Sequence, residues 1–403
     1  MGERVIHLHG VAQNVRGGDH LRRRLWRVDD PSAGLSDVAV RSGVVSAPDE
    51  TCLTLWASSE QMLGDGVQLP KELDYLAPGD IFEFDPATGR IDVLWRRGAT
   101  QNFLLVTERC DNYCLMCSQP PKDRNDDWLL TRARQVVEML EPTAEGFIIT
   151  GGEPTLYGDQ LLDFLAYIAA TRPDLQVHLL SNGRRFSDPD FAEGYAAASF
   201  PGLMVGIPIY SSEPTGHDYL VQADGAFGQT VQGIINLVRL DQRVEVRVVL
   251  TRSTAPAIVE IAEFIARNLP FVDQVALMGL EVTGLARPNL ELVWIDPFDY
   301  RSVLDEAVHL LDAHGIPTRI YNHPLCVLER SSWRFAVRSI SDWKNEFDPR
   351  CDGCSVRDHC GGFFRSSMHV ASARIQPIHG DVSSLPPRRS AARPWTLGPA
   401  PSH

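Results

Sequence analysis

The chain has 403 residues and a mass of 44.8 kDa, a length that suits two or three domains. Its 38 Lys and Arg stand against 52 Asp and Glu, a formal net charge of -14. That balance disfavours nucleic acid as a partner, since such affinity rests on cations that neutralise phosphates.

No run of about 18 apolar residues occurs, so no membrane span is expected. The opening MGERVIHLHG lacks an apolar stretch followed by a small-residue cleavage site, so no signal peptide is expected either. The expected localisation is cytoplasmic. There cysteines stay reduced, and clustered ones read as metal ligands or catalytic thiols rather than disulfides.

Residues 1–98 carry short β-like runs, DVAVRSGVV, TCLTLW, DIFEFD and RIDVLWRR, separated by turn signals such as PGD and DPATGR. They predict a small β-rich N-terminal domain. The basic run LRRRLWR at 21–27 reads as a solvated strand edge or helix face. Cys52, alternating with apolar neighbours, reads as a small buried hydrophobe. His7 and His9 show no ligand spacing.

From residue 99 to 315 the texture changes. Apolar runs NFLLVT, GFIIT, VHLLS, LMVGIPIY, VEVRVVLT and QVALMGLE alternate with amphipathic segments at 131–140, 159–171, 188–198, 228–240, 256–268 and 297–314. Strands rich in Val, Ile and Leu that alternate with helices imply parallel βαβ units. Six units suit an α/β fold of the partial or full β/α-barrel type, with active groups where strands end and loops begin. Residues 316–382 are cysteine-rich and loop-like, with a strand expected in IPTRIY. Residues 383–403, rich in Pro, Ser and Arg, read as a flexible tail.

Seven of the eight cysteines fall into two groups. Cys110, Cys114 and Cys117, spaced C-x3-C-x2-C in TERCDNYCLMCSQPP, follow the first barrel-type strand. Three neighbouring thiolates repel one another and make sense around a cation. A closed zinc site needs a fourth ligand, which here would have to come from a distant residue. In a four-iron cubane, three cysteines leave one iron open to an outside ligand. One βα unit later comes TGGEPTL, Thr150 to Leu156. Its two glycines let backbone approach a ligand closely, Glu153 adds a carboxylate, and Pro154 stiffens the exit.

This pairing resembles the radical S-adenosylmethionine (SAM) superfamily. The resemblance implies a partial (β/α)6 TIM-type barrel, an oxidoreductase-like chemistry and a [4Fe–4S] cluster held by Cys110, Cys114 and Cys117. The open iron would chelate SAM, and Gly151, Gly152, Glu153 and Pro154 match the segment that binds the methionyl ammonium. Reductive cleavage would give a 5′-deoxyadenosyl radical, with an external electron donor. Met116 stands where the family commonly has an aromatic residue, and its thioether can pack on adenine. Further SAM contacts are expected by position at Ser181, Asn182, Ser211, Arg247 and Met278. No catalytic residue is expected beyond the cluster and SAM site.

Cys351, Cys354 and Cys360 give C-x2-C-x5-C, with Cys326 upstream. This resembles the twitch and SPASM extensions of radical SAM enzymes without their further C-x3-C step, and implies one auxiliary [4Fe–4S] cluster. A zinc knot, with His359 as a substitute ligand, stays open as the alternative. The combination of TERCDNYCLMCSQPP, YNHPLCVL, SISDWKNEFDPRCDGC and CGGFF resembles the His-Xaa-Ser system radical SAM maturase family, HxsC. That resemblance implies a ribosomally made peptide or protein substrate of His-Xaa-Ser repeat type, and a second radical SAM protein, HxsB, as companion. Two other functions fit the motifs: a radical SAM enzyme acting on a small molecule or cofactor precursor, and a non-catalytic iron–sulfur or zinc scaffold.

Overall fold

The computed structural model describes residues 8–16, 24–28, 43–46, 52–62, 65–338 and 346–380. His7, the side chain of Cys52, residues 21–23, 339–345 and the tail 383–403 lie outside what is described. The chain divides into two compact units. One comprises Met1–Leu104 with Trp128–Phe147, the other Leu105–Asp127 with Ile148–His403.

The first unit is built on β1 (His9–Val11), β2 (Asn14–Arg16), β3 (Arg24–Val28), β4 (Gly43–Ser46), β5 (Cys52–Trp56), β6 (Gly66–Gln68), β7 (Ile81–Asp85) and β8 (Arg90–Trp95). They form one sheet in the order β1-β8-β7-β3-β4-β5-β6-β2. Its ladders are antiparallel except for β5 with β6. Alternation decides the face: in β8, Ile91, Val93 and Trp95 are buried while Arg90 is exposed. Trp26, Leu73, Phe82, Phe84 and Ile91 form the fully buried centre of its core. Helix α1 (Trp128–Glu138) belongs to this unit and buries Leu129, Leu130, Ala133, Val136 and Val137. Its Arg132 pairs with Glu83 at 3.3 Å.

A second sheet carries β9 (Phe103–Thr107), β10 (Gly146–Gly151), β11 (Gln176–Leu180), β12 (Leu203–Pro208), β13 (Val244–Leu250), β14 (Gln274–Gly279), β15 (Thr318–Tyr321) and β16 (Ala336–Val337). The strands follow one another in chain order, with β9 and β16 at the edges. Each ladder from β11 to β16 is parallel. The winding is therefore that of a barrel-type α/β sheet, not of a doubly wound one. Between the strands lie α2 (Asp159–Thr171), α3 (Pro189–Ala197), α4 (Pro214–Val221), α5 (Ala226–Arg239), α6 (Ile258–Asn268), α7 (Leu290–Val293) and α8 (Arg301–Ala313). The sheet runs beyond the six barrel strands expected from the sequence: β15 is the strand expected in IPTRIY, and β16, which was not expected, continues the sheet into the cysteine-rich region.

Successive strand residues such as Leu203, Met204 and Val205 are buried, as two covered faces require. After β16 the chain is held by short 3-10 turns and by one antiparallel bridge, Glu346 to Phe363. Among the described residues, no helix is long and apolar enough to cross a membrane.

Candidate iron–sulfur and SAM site

Cys110, Cys114 and Cys117 occupy the loop that leaves β9. Three neighbouring segments clamp this loop through its backbone. The Tyr113 and Leu115 amides each donate at 2.9 Å to carbonyls at the end of α4, those of Val221 and Leu220. The Leu285 amide donates to the Cys117 carbonyl at 2.8 Å, and Asn289 Nδ2 to the Leu115 carbonyl at 2.9 Å. Arg184 donates to the Asp111 carbonyl and to Asn112 Oδ1, both at 2.8 Å.

The GGEP turn lies directly against this loop. The Gly152 amide donates to the Thr107 carbonyl at 2.9 Å, and the Glu153 amide to the Arg109 carbonyl at 2.8 Å. A Cβ on Gly152 would stand 2.1 Å from the Arg109 oxygen and 3.0 Å from Cys110 Cβ. Only glycine allows that approach.

Glu153 is 1% exposed. Its Oε1 accepts from the Thr155 amide (3.0 Å), Thr155 Oγ1 (2.6 Å) and Ser181 Oγ (2.8 Å), and its Oε2 from the Asn182 amide (2.6 Å). Burial raises its proton affinity against the pull of those donors. The carboxyl thus ties the GGEP turn to the end of β11. Ser181 and Asn182 are its partners there, and Asn182 Nδ2 also reaches Asp111 at 2.6 Å.

Sequence reasoning missed Asp126. Its carboxylate has no exposed side-chain surface and accepts from Thr107 Oγ1, the Glu108 amide and Arg109 Nε, the last at 3.0 Å. Tyr157 Oη donates to the Val106 carbonyl at 2.9 Å and lies 3.3 Å from Asp126 Oδ1. Burial would lift the Asp126 proton affinity, but these donors and the Arg109 charge hold it below the ordinary value. One of three Asp residues in KDRNDDW, Asp126 gives no local signal of such a role.

The other expected SAM contacts are scattered. Met116 is buried in an apolar cluster with Leu220, Ala286 and Val293. Ser211 Oγ accepts from the Glu213 amide at 3.0 Å, a local turn. Arg247 donates to Glu245 at 2.7 Å and to the Met278 sulfur at 3.2 Å, so Arg247 and Met278 meet each other inside the sheet.

The donor set fits a cluster. Burial pushes the Cys110 thiol up to about 12, with Glu153, Asp111 and Cys117 adding to the rise. It also raises Cys114 strongly, with Cys117 and Cys110 adding their charges. Cys117 is raised by burial as well. Three thiols that oppose one another's ionisation are relieved by a bound cation. Among the described residues no three His, Cys, Asp or Glu side chains form a group able to hold a metal ion as a single centre. A polynuclear cluster takes one thiolate per iron and does not impose that convergence.

In the second cysteine group the thiols lie within reach of one another's charge. Cys326 raises Cys351 and Cys360 through charge, and Cys354 raises Cys326 and Cys351, although burial is the larger cause in each. Cys360 is pushed up to about 11. Backbone amides point at the sulfurs: Leu325 and Gly362 to Cys360, both 3.4 Å, and Ile378 to Cys354, 3.3 Å. His359 lies in the 3-10 turn just before Cys360.

Residues 104–265, about two fifths of the chain, match the family model described as the Radical SAM superfamily. Partial likenesses exist among solved structures. SuiB of Streptococcus suis bound to S-adenosylmethionine is 16% identical with a TM-score of 0.44, over 57% of this chain and 50% of that one. The alignment therefore spans about half the length of SuiB. The anSMEcpe structure with bound AdoMet gives 16% and 0.42, over 54% and 60%. A radical SAM methyltransferase from Sphaerobacter thermophilus gives 13% and 0.40, over 73% and 76%. The comparison with curated proteins gives no match.

Proposed function

We propose that the protein is a radical SAM enzyme that modifies a ribosomally made peptide or protein, as a maturase of the His-Xaa-Ser type. The observation that carries the radical part is the clasp between the cysteine loop and GGEP, closed at Gly152. In this reading Cys110, Cys114 and Cys117 hold the SAM cluster. Cys326, Cys351, Cys354 and Cys360 hold one auxiliary cluster in the 316–382 extension. When bound, cluster and SAM together supply a 5′-deoxyadenosyl radical for hydrogen abstraction.

The chain's own residues do the positioning. Glu153 fixes the GGEP turn against β11 through Ser181 and Asn182. Asp126 fixes the base of the cysteine loop through Thr107, Glu108 and Arg109. The peptide part of the reading is supported by the motifs YNHPLCVL and CGGFF around the second cysteine group.

Anaerobic reconstitution tests both parts. Iron counting and 5′-deoxyadenosine assay should show turnover in the wild type and none in Cys114→Ala. A mass change on a His-Xaa-Ser peptide during turnover separates a peptide substrate from a small molecule. A fully loaded protein that leaves SAM intact under strong reductant would reduce it to a scaffold.

A further inference from the structure

Beyond Cys360 the chain turns back onto the second cysteine group. Ser372 and Ile375 are buried, and the next three residues, Gln376, Pro377 and Ile378, run along the cysteines. The Ile378 amide donates to the Cys354 sulfur at 3.3 Å, across 24 positions. The Ser355 amide returns a bond to the Ile378 carbonyl at 2.8 Å. Burial raises the Cys326 thiol, and the Gln376 amide, aimed at its sulfur, is the largest influence against that rise. One tripeptide therefore touches two cysteines from different segments. Cys326 lies in the 3-10 turn Leu325–Val327, and Cys354 follows the turn Pro349–Cys351.

The sequence QPI suits this task. Proline has no amide and favours extended backbone at the residue before it. In an extended segment, amides two residues apart point to the same side. Gln376 and Ile378 thus present both donors of the tripeptide to the sulfurs, and no third amide needs a partner on the other side. The first cysteine group is supported differently. Cys110 accepts from the Asn112 amide of its own loop, at 3.4 Å. In the second group, Cys360 accepts from Leu325 across 35 positions as well as from Gly362. Donors from so far along the chain are placed by the fold, not by a local turn. Amides on cluster sulfurs stabilise the negative charge that a cluster gains on reduction, and so raise its potential.

We propose that Gln376–Ile378 is a clasp on the auxiliary cluster, whose two amides hold Cys326 and Cys354 in place as ligands and raise the cluster's reduction potential. The proposal rests on the auxiliary-cluster reading above. Because the donors are backbone amides, the two side chains matter little, whereas proline at either position removes a donor.

The test compares the full-length wild type with Gln376→Pro, Ile378→Pro, Gln376→Ala and Ile378→Ala, each reconstituted anaerobically. Iron is counted: about eight per chain with both clusters, about four with the SAM cluster alone. The auxiliary midpoint is read by potentiometric EPR from the signal that added SAM leaves unchanged, since SAM meets only the open iron. Each proline variant should shift that midpoint negative by about 59 mV, tenfold in a one-electron equilibrium, or fall to about four irons. Each alanine variant should keep both wild-type values. Proline variants with wild-type iron and midpoint overturn the proposal, as do alanine variants that move as far as their proline partners. A wild type with about four irons and no other metal overturns it together with the auxiliary-cluster reading. A wild type with about four irons and a zinc removes that reading and the redox role, and zinc release to a chromogenic chelator then reads the clasp by itself. Release should be about tenfold faster from Ile378→Pro than from wild type, and equal rates overturn the clasp.

Discussion

Gly152 concentrates the geometry of the site in one missing atom. Gly152→Ala must push the Arg109 carbonyl or Cys110 away, since the added Cβ would lie 2.1 Å from that oxygen. Overpacking of this kind costs about 1–3 kcal/mol. It also shifts Cys110, a ligand of the proposed cluster, so iron content after reconstitution should fall with the melting temperature; unchanged iron loading would show that the loop has room to yield. Asp126→Ala acts on the same loop from beneath. It strands the Thr107 hydroxyl and the Glu108 amide, for a loss of about 2–4 kcal/mol in urea denaturation. The contrast between these residues explains what could be read in advance. The cysteines and GGEP speak through local spacing, whereas Asp126 acts on Thr107 across 19 positions. Ser181 and Asn182 were legible as strand-end polar groups, but their attachment to Glu153 needed the fold.

At the scale of elements, strands were the easiest to anticipate. Runs such as LMVGIP have the unbroken apolar texture of a strand covered on both faces, and β12 spans Leu203–Pro208. The helix α4 was not anticipated, because EPTGHDYLV carries Pro and Gly within one short stretch and little apolar periodicity. Its ends nonetheless do two jobs. Val221 and Leu220 hold the cysteine loop, and Asp218 caps the next helix, accepting from the Gly225 amide at 2.7 Å and the Phe227 amide at 2.8 Å. Gly225, the N-cap residue of α5, has no side chain for that task. Asp218→Ala should therefore lower stability by about 1 kcal/mol, within the range of lost N-caps. Thermal unfolding of the variant checks it, and Asp218→Asn should recover most of the loss. The short strand β16 escaped notice for a simpler reason: two residues carry no periodicity.

For the molecule as a whole, three buried histidines set the response to acid. His178 on β11, His217 in α4 and His323 after β15 are 1%, 1% and 2% exposed. Burial lowers each to about 4 from an ordinary 6.5. His217 Nδ1 accepts from the Tyr210 amide at 3.2 Å, and His323 Nε2 accepts from Tyr300, roles that a protonated ring cannot fill. As pH falls through 6.5 the unfolded chain takes up protons that the native chain refuses until about 4, so stability falls with pH across that window. Each histidine contributes a slope of up to about 1.4 kcal/mol per pH unit. Glu153 and Asp80, both raised by burial, act in the opposite sense above their ordinary values of 4.5 and 3.8. The histidine share is isolated by comparing wild type with His323→Phe in urea titrations at pH 6.0 and 5.0. The variant should be less stable at both, yet its stability should fall between them by about 1 kcal/mol less than the wild type's does. Equal falls would mean that His323 already carries a proton in the folded protein, and that the Tyr300 hydroxyl does not donate to it.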